Sequence, residues 1–268
     1  TVLRRFLDGG LPFAACRHAA AEELLGEEAA ACLGGANDNL GVEYLRALPP
    51  GMGALAVRRT GARHDGGPEG GFASASVLRG WLRQGKITRA EDYLTEAWQG
   101  DIASMEWCER WVLARLRTMT LAEAEALPDS GEGLAARLLA AGREASGLEE
   151  VYALAKTKRY AHARVRRLTV WAMLGLRAAD RPAAVPYLKV LGFTGRGREV
   201  LREMGRRAAV PIVTKPAHAR DLPGDGERLA GLEARCTDLY GLCFARPWTG
   251  GEEWRRGPVM LERREGRT

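Results

Sequence analysis

The chain has 268 residues, room for one large domain or two modest ones, and its 46% apolar content suits a globular protein with a core. Forty Lys+Arg against 34 Asp+Glu give a formal net charge of +6, which favours polyanionic partners and says nothing of the fold. No apolar run approaches the ~20 residues of a membrane-spanning helix, and TVLRRFLDGG at the N-terminus lacks the apolar centre of a secretion signal, so the cytoplasm is the expected compartment.

The opening LRRFL after Thr1 reads as the tail of a helix, and the chain is expected to be a fragment. From Pro12 to about Glu28, apolar Phe13, Ala14, Ala19, Leu24 and Leu25 alternate with acids at helical spacing and predict a surface helix. Asn37 or Asp38 is expected to cap a second helix, DNLGVEYLRAL, which Pro49-Pro50 ends. The apolar run Ala54 to Arg59 predicts a strand, and the Gly-rich TGARHDGGPEGG after it an exposed loop. Serines suit the start of a helix from Ser74 to about Gln84, with Val77, Leu78, Trp81 and Leu82 on its apolar face and a stop at Gly85.

Helical patterning dominates beyond Gly85, so a domain boundary is expected there. TRAEDYLTEAW, SMEWCERWVLARLRTM and LAEAEAL come first, and three more helices are predicted between Gly131 and Leu176, the third with a basic start. PYLKVLGF and AVPIVT have strand-like composition and flank a helix, GRGREVLREMGRRA; a last helix, ERLAGLEARCTDLYGL, follows. The tail rich in Arg, Gly and Glu from Thr249 is expected to be disordered or loosely attached.

Three patterns offer chemistry. Ser74, Ser76 and Arg79 form S-x-S-x-x-R after the Gly-rich loop: hydroxyls and unpaired N–H groups at a helix start hold phosphate, and an arginine one turn on completes the clamp. The same pattern also reads as a serine cap with a solvated arginine. Asn37, and Arg59 at the end of the predicted strand, stand where open α/β sheets meet nucleotides, although each reads equally as a cap or a surface charge. Lys156 to Arg167, KTKRYAHARVRR, holds six cations and no acid, with Tyr160 and His162 placed to stack on bases; a solvated helix face is the plainer account. Cys16, Cys32, Cys108, Cys236 and Cys243 are scattered, without a C-x-x-C pair, and are read as buried thiols. The four histidines lack metal-ligand spacing, and His64 beside Asp65 is read as a polar loop pair.

In chain order, several segments together resemble the tRNA(Met) cytidine acetate ligase family of HIGH-superfamily nucleotidyltransferases. They are N-D-N-L-G-V-E-Y-L from Asn37, Arg59 with the following G-A-R-H-D, F-A-S-A-S-V-L-R to Arg79, E-G-L-A-A-R from Glu132, L-x-K-T-K-R-Y-x-x-x-R-x-x-R from Leu154, Y-L-K-V-L-G-F, P-I-V-T-K, and T-D-L-Y from Thr237. The likeness runs over roughly residues 10 to 240, and T-K-R-Y is its most specific element. It implies an α/β plus α architecture: the C-terminal part of a Rossmann-like nucleotidyltransferase domain (residues 1–85), then a mostly helical tRNA-binding domain (86–248) and a flexible tail (249–268). It also implies activation of acetate by ATP, with Mg2+, to acetyl-adenylate, and transfer of the acetyl group to the wobble cytidine of elongator tRNA(Met). On the resemblance Asn37, Arg59, Ser74, Ser76 and Arg79 meet ATP, and Lys156, Lys158, Arg159, Tyr160, Arg164 and Arg167 meet tRNA. The family's H-x-G-H motif has no counterpart here, so no catalytic residue is assigned and the fragment alone is expected to be inert. Two other expectations stay open: a small-molecule adenylyltransferase of the same superfamily, and a non-catalytic tRNA-binding module.

Overall fold

Helices α1 (Val2–Asp8), α2 (Phe13–Leu25), α3 (Glu27–Ala31) and α4 (Ala36–Ala47) begin the chain, and an ion pair of 2.8 Å from Arg17 to Glu43 links α2 to α4. This is a computed structural model that describes residues 1–9, 13–57, 60–62, 66–95 and 97–261, with the backbone alone at residue 36. The single helix expected up to Glu28 breaks at Gly26 and resumes as α3. Gly35, and neither Asn37 nor Asp38, is the N-cap of α4; both side chains belong to its first turn. The turn into α4 is fixed instead by Asn39, whose amide donates to the carbonyls of Leu33 (2.7 Å) and Gly35 (2.9 Å). Leu48 leaves helical space at ψ 122, as the residue before Pro49 must.

The strand expected over 54–59 is absent among the described residues. Residues 54–57 pair with no strand among the described residues, and Leu55 and Val57 stand 91% and 83% exposed; residues 58 and 59 lie outside the described residues. Apolar content favours extended chain, but a strand exists only through a ladder partner. The loop that follows closes on itself, because Glu69 and Phe72 exchange backbone hydrogen bonds of 2.8 and 3.0 Å. Gly61, at φ +78, lies against Phe72, where a Cβ would come within 2.5 Å of the ring. Helix α5 (Ala75–Arg83) runs as expected and stops before Gly85; α6 (Ile87–Glu91) follows it. Trp81 of α5 packs on Tyr93 at 5.6 Å between ring centroids, and the Arg89 guanidinium lies 4.4 Å from the Trp81 ring.

Contacts divide the chain into two units, residues 1–100 with 156–161, and residues 101–155 with 162–268. The break therefore differs from the expected one at Gly85, because α6 and Tyr93 pack back onto α5.

In the second unit a 3-10 turn (Met105–Cys108) leads into α7 (Glu109–Thr118), then α8 (Leu121–Glu125), α9 (Leu134–Glu144), α10 (Leu148–Ala155) and α11 (His162–Leu174). Their apolar positions recur every three or four residues and close one core of Val112, Leu116, Leu134, Leu138, Val151, Val165 and Leu168, all essentially solvent-free. α7 and α9 approach so closely that a Cβ at Gly142 would lie 2.6 Å from Leu116. Arg137 of α9 donates to the last carbonyls of α10, Leu154 (2.7 Å) and Ala155 (2.9 Å), which the helix itself leaves unpaired.

A small mixed region completes the unit: β1 (Leu188–Lys189), β2 (Gly192–Thr194), α12 (Gly195–Arg207), β3 (Ile212–Val213), α13 (Asp225–Tyr240), α14 (Glu252–Arg255) and β4 (Val259–Leu261). β1 pairs in parallel with β3, and β2 with β4. Tyr187, Val213, Ala219, Leu222 and Ala230 form its core, with Leu229 and Trp254 against it. Residues 249–261, expected as a loose tail, differ from that expectation, since Trp254 joins this core and β4 completes a sheet. Among the described residues no helix is long and apolar enough to cross a membrane.

Candidate functional site

The start of α5 is built from the loop before it. Ser74 is 1% exposed, and its hydroxyl donates to Gly66 O (3.0 Å) while accepting from the Val77 N–H (3.4 Å). Both bonds are intramolecular, so Ser74 is a cap that pins the Gly-rich loop to the helix and not a free ligand. The N–H groups of Ala75 and Ser76 are left without intrahelical acceptors, as in any first helical turn. Ser76 and Arg79 are exposed one turn apart, with the guanidinium 3.4 Å from the Ser76 hydroxyl. Two N–H groups, a hydroxyl and a guanidinium thus share one helix end, where the helix dipole also favours an anion.

Asn37 is exposed on the first turn of α4. Arg59, like His64 and Asp65, lies outside the described residues.

The basic stretch divides into a loop and a helix. In the loop, residues 156–161, the Thr157 hydroxyl accepts from the N–H groups of Arg159 (3.1 Å) and Tyr160 (3.3 Å), which folds T-K-R-Y into a turn. Tyr160 is buried, 7% exposed, and so is an anchor and not the expected stacking platform. Lys156, Lys158 and Arg159 are exposed, and neither lysine has an ion pair among the described residues. The loop packs with the first unit although its flanks belong to the second.

In α11 the acids missing from the local sequence arrive from elsewhere in the fold. Arg164, with its side chain 20% exposed, pairs with Asp129 (3.1 Å) and Glu132 (2.8 Å), Arg167 with Asp129 (3.3 Å), and Arg166 with Glu149 (3.3 Å). Asp129 and Glu132 hold positive φ, at 54 and 64, so Arg164 ties down a strained turn. His162 packs edge-on to Tyr152 at 5.8 Å. The expected basic face is therefore largely neutralised within the fold. Exposed arginines also stand on α12, Arg196, Arg198 and Arg202, spread around the helix with Glu199 and Glu203 among them, and the sequence did not single them out.

Of the cysteines, Cys16, Cys108 and Cys243 are buried, but Cys236 is half-buried and Cys32 exposed, a correction to the expectation for all five. The Cys108 and Cys243 sulfurs lie 3.5 Å apart, and burial, then the neighbouring thiol, pushes Cys243 up to about 12. Among the described residues no group of His, Cys, Asp and Glu is arranged to hold a metal ion.

A family model described as HIGH Nucleotidyl Transferase matches residues 1–252. The chain belongs to the HIGH nucleotidyltransferase family. Among curated members of similar sequence are the tRNA(Met) cytidine acetate ligase of Fervidobacterium nodosum, 29% identical over 204 residues, and that of a Thermoanaerobacter species, 25% identical over 263 residues. These matches take in 69% and 90% of this chain but 48% and 64% of the relatives, so the chain spans about half to two thirds of their length. The HIGH nucleotidyltransferase fold is shared with the crystal structure of apo Thermotoga maritima TmcAL, at a TM-score of 0.87 and 23% identity over 98% of this chain and 70% of that one. The same protein bound with alpha-thio ATP matches at a TM-score of 0.84. The α/β plus α class expected from the sequence is the class of this family.

Proposed function

We propose that this HIGH nucleotidyltransferase serves an ATP-dependent ligase that acetylates the wobble cytidine of elongator tRNA(Met). One observation carries the reading: the buried Ser74 hydroxyl ties Gly66 to the start of α5, beside the first-turn N–H groups, the exposed Ser76 hydroxyl and Arg79, a donor set that suits a triphosphate. Relatives named tRNA(Met) cytidine acetate ligase, and a solved neighbour whose title records an ATP analogue, support it.

In the proposed reaction an acetate oxygen attacks the α-phosphorus of ATP and pyrophosphate leaves, giving acetyl-adenylate. The cytidine N4 amine then attacks the acetyl carbon, AMP departs and a proton is lost to solvent. Neither step needs a protein nucleophile; both need fixed donors around developing phosphate charge, which Ser76, Arg79 and the first-turn N–H groups supply. Asn37 and Arg59 are proposed as further nucleotide contacts. A Mg2+ ion would enter on the ATP phosphates, which commonly hold it with few protein ligands. For tRNA the proposed contacts are Lys156, Lys158 and Arg159, with Arg167 at the edge and Arg164 supporting the turn beneath. A tRNA substrate implies the cytoplasm.

The test is product analysis in a protein that carries these residues together with an H-x-G-H segment. ATP should yield AMP and pyrophosphate only with acetate present, and labelled acetyl should appear on tRNA. ATP turnover on a small acceptor without tRNA would instead identify a small-molecule adenylyltransferase, and tRNA binding without ATP binding a non-catalytic module.

A further inference from the structure

Cys108 and Cys243 stand 135 residues apart in the chain, yet their sulfurs lie 3.5 Å apart in the folded protein. Both residues are nearly solvent-free, 2% and 5% exposed. Cys108 closes the 3-10 turn before α7, and Cys243 closes a second 3-10 turn, Gly241–Cys243, after α13. A backbone bond already ties the two turns, from the Ser104 N–H to Cys243 O (2.7 Å). Each turn is also braced from its own side. The Glu109 carboxylate, next to Cys108, accepts from the Leu148 N–H (2.8 Å). Beyond Cys243, the Phe244 ring stacks on Trp248 at 4.3 Å, and the Trp248 N–H donates to Gly241 O (3.1 Å). Bonded sulfurs sit ~2.05 Å apart, so closure needs about 1.5 Å, within reach of small side-chain rotations on a backbone already held.

A route for a small reagent leads to the pair. Cys243 lines an apolar cavity of about 350 Å3 together with Met105, Met173, Leu174, Cys236 and Tyr240, and Tyr240 is 48% exposed. A space of this size admits molecules a little larger than water, such as hydrogen peroxide. Burial, then the Cys108 thiol beside it, pushes Cys243 up to about 12, so thiolate is scarce and reaction with an oxidant is slow. In a reducing compartment both thiols persist, and only sustained oxidant converts them.

We propose that Cys108 and Cys243 are a modification site, a dithiol that peroxide converts to a reversible disulfide locking the start of α7 to the end of α13. The Cys243 sulfur, as thiolate, attacks one peroxide oxygen; the O–O bond breaks, the departing hydroxide takes up a proton as water, and Cys243 becomes a sulfenic acid. Cys108 then loses its proton and its sulfur attacks that of Cys243; the S–S bond forms, the S–O bond breaks and a second water leaves. The two thiols together lose two electrons, and one peroxide is reduced to two waters. A thiol reductant reverses the bond by exchange. The lock closes a loop that spans α7 to α13, and a long loop is where a cross-link most restricts the unfolded chain. It draws on neither ATP nor tRNA.

The test exposes the native 268-residue chain, as Cys32→Ala to remove the exposed thiol, to hydrogen peroxide for a day. Free thiols are then alkylated in denaturant and the peptides mapped by mass spectrometry. The Cys108 and Cys243 peptides should be joined, with the loss of two hydrogens, and dithiothreitol should part them. The cross-linked form should melt at least about 5 °C above the dithiol. Cys236→Ala should form the same link, and Cys243→Ala should form none and keep its melting temperature in peroxide. Free thiols at both Cys108 and Cys243 overturn the proposal, and a Met105 sulfoxide in that sample would mark oxidant inside the cavity. So does a link that forms only in denaturant, or one that joins Cys236 to either sulfur instead. A link that leaves the melting temperature unchanged removes the lock.

Discussion

The two units reach their structure differently. In the second, α7, α9, α10 and α11 bury whole apolar faces against one another, and Val112, Leu116, Leu134, Leu138, Val165 and Leu168 are essentially removed from water. In the first, helices form but bury little: its solvent-free side chains are mostly small, such as Cys16, Ala30 and Ala90, while Phe13, Leu25, Tyr44, Leu45, Leu55 and Val57 are exposed. Caps and turns are enough to start and stop a helix. A core needs a second apolar surface, and for α4 and residues 54–57 the described residues provide none. The unit that carries the candidate phosphate site is thus held mainly by local polar contacts, and the second unit by burial.

That contrast is breakable by mutation. The largest effect should come from Leu138→Ala, which removes a solvent-free side chain and should cost about 2–5 kcal/mol of stability in denaturant titration. Leu55→Ala, at a 91% exposed position, should stay within about 0.5 kcal/mol. A comparable loss from both would mean that Leu55 is buried in solution. Ser74→Ala should come next, at about 1 kcal/mol, the usual worth of a helix cap, and should loosen hydrogen-exchange protection at Val77 and Leu78 while α9 keeps its own. Equal protection before and after would show that the loop does not depend on the cap.

Smaller effects separate the two halves of the basic stretch. Lys158→Ala should lower the slope of log affinity for tRNA against log salt by roughly 0.7 to 0.9. Arg164→Ala, which breaks pairs to Asp129 and Glu132, should lower stability and leave that slope alone. The reverse pattern would return α11 to the RNA surface.

At high pH a further difference is expected. The Cys243 thiol is raised from 9.0 to about 12, so above about pH 9 the unfolded chain releases a proton that the folded chain keeps, and stability should fall as pH rises through that range. Replacing Cys243 by Ala should flatten the fall, and exposed Cys32 should alkylate well before Cys243 in the native protein.

What the sequence disclosed follows the same division. Helix α5 was legible to within a residue because its signals are local: Ser74 caps, Gly85 stops, and Val77, Trp81 and Leu82 mark one face. The strand expected over 54–59 does not form across 54–57, because a strand's partner is not a local property. The basic stretch looked uncompensated because Asp129, Glu132 and Glu149 reach it from other helices, and Tyr160 looked available because nothing in T-K-R-Y says that the ring turns inward. The pairing of Cys108 with Cys243 had no linear signature at all, since 135 positions separate the two residues and only the packed fold brings their sulfurs together.

The central claim is that the start of α5 binds the phosphates of ATP, and calorimetric titration of the chain with ATP, as wild type and as Arg79→Ala, tests it most directly. The account predicts that the variant binds ATP at least about tenfold more weakly, the loss of one charge-assisted contact, while its melting temperature and its affinity for tRNA are unchanged. Unaltered ATP affinity in Arg79→Ala would contradict it.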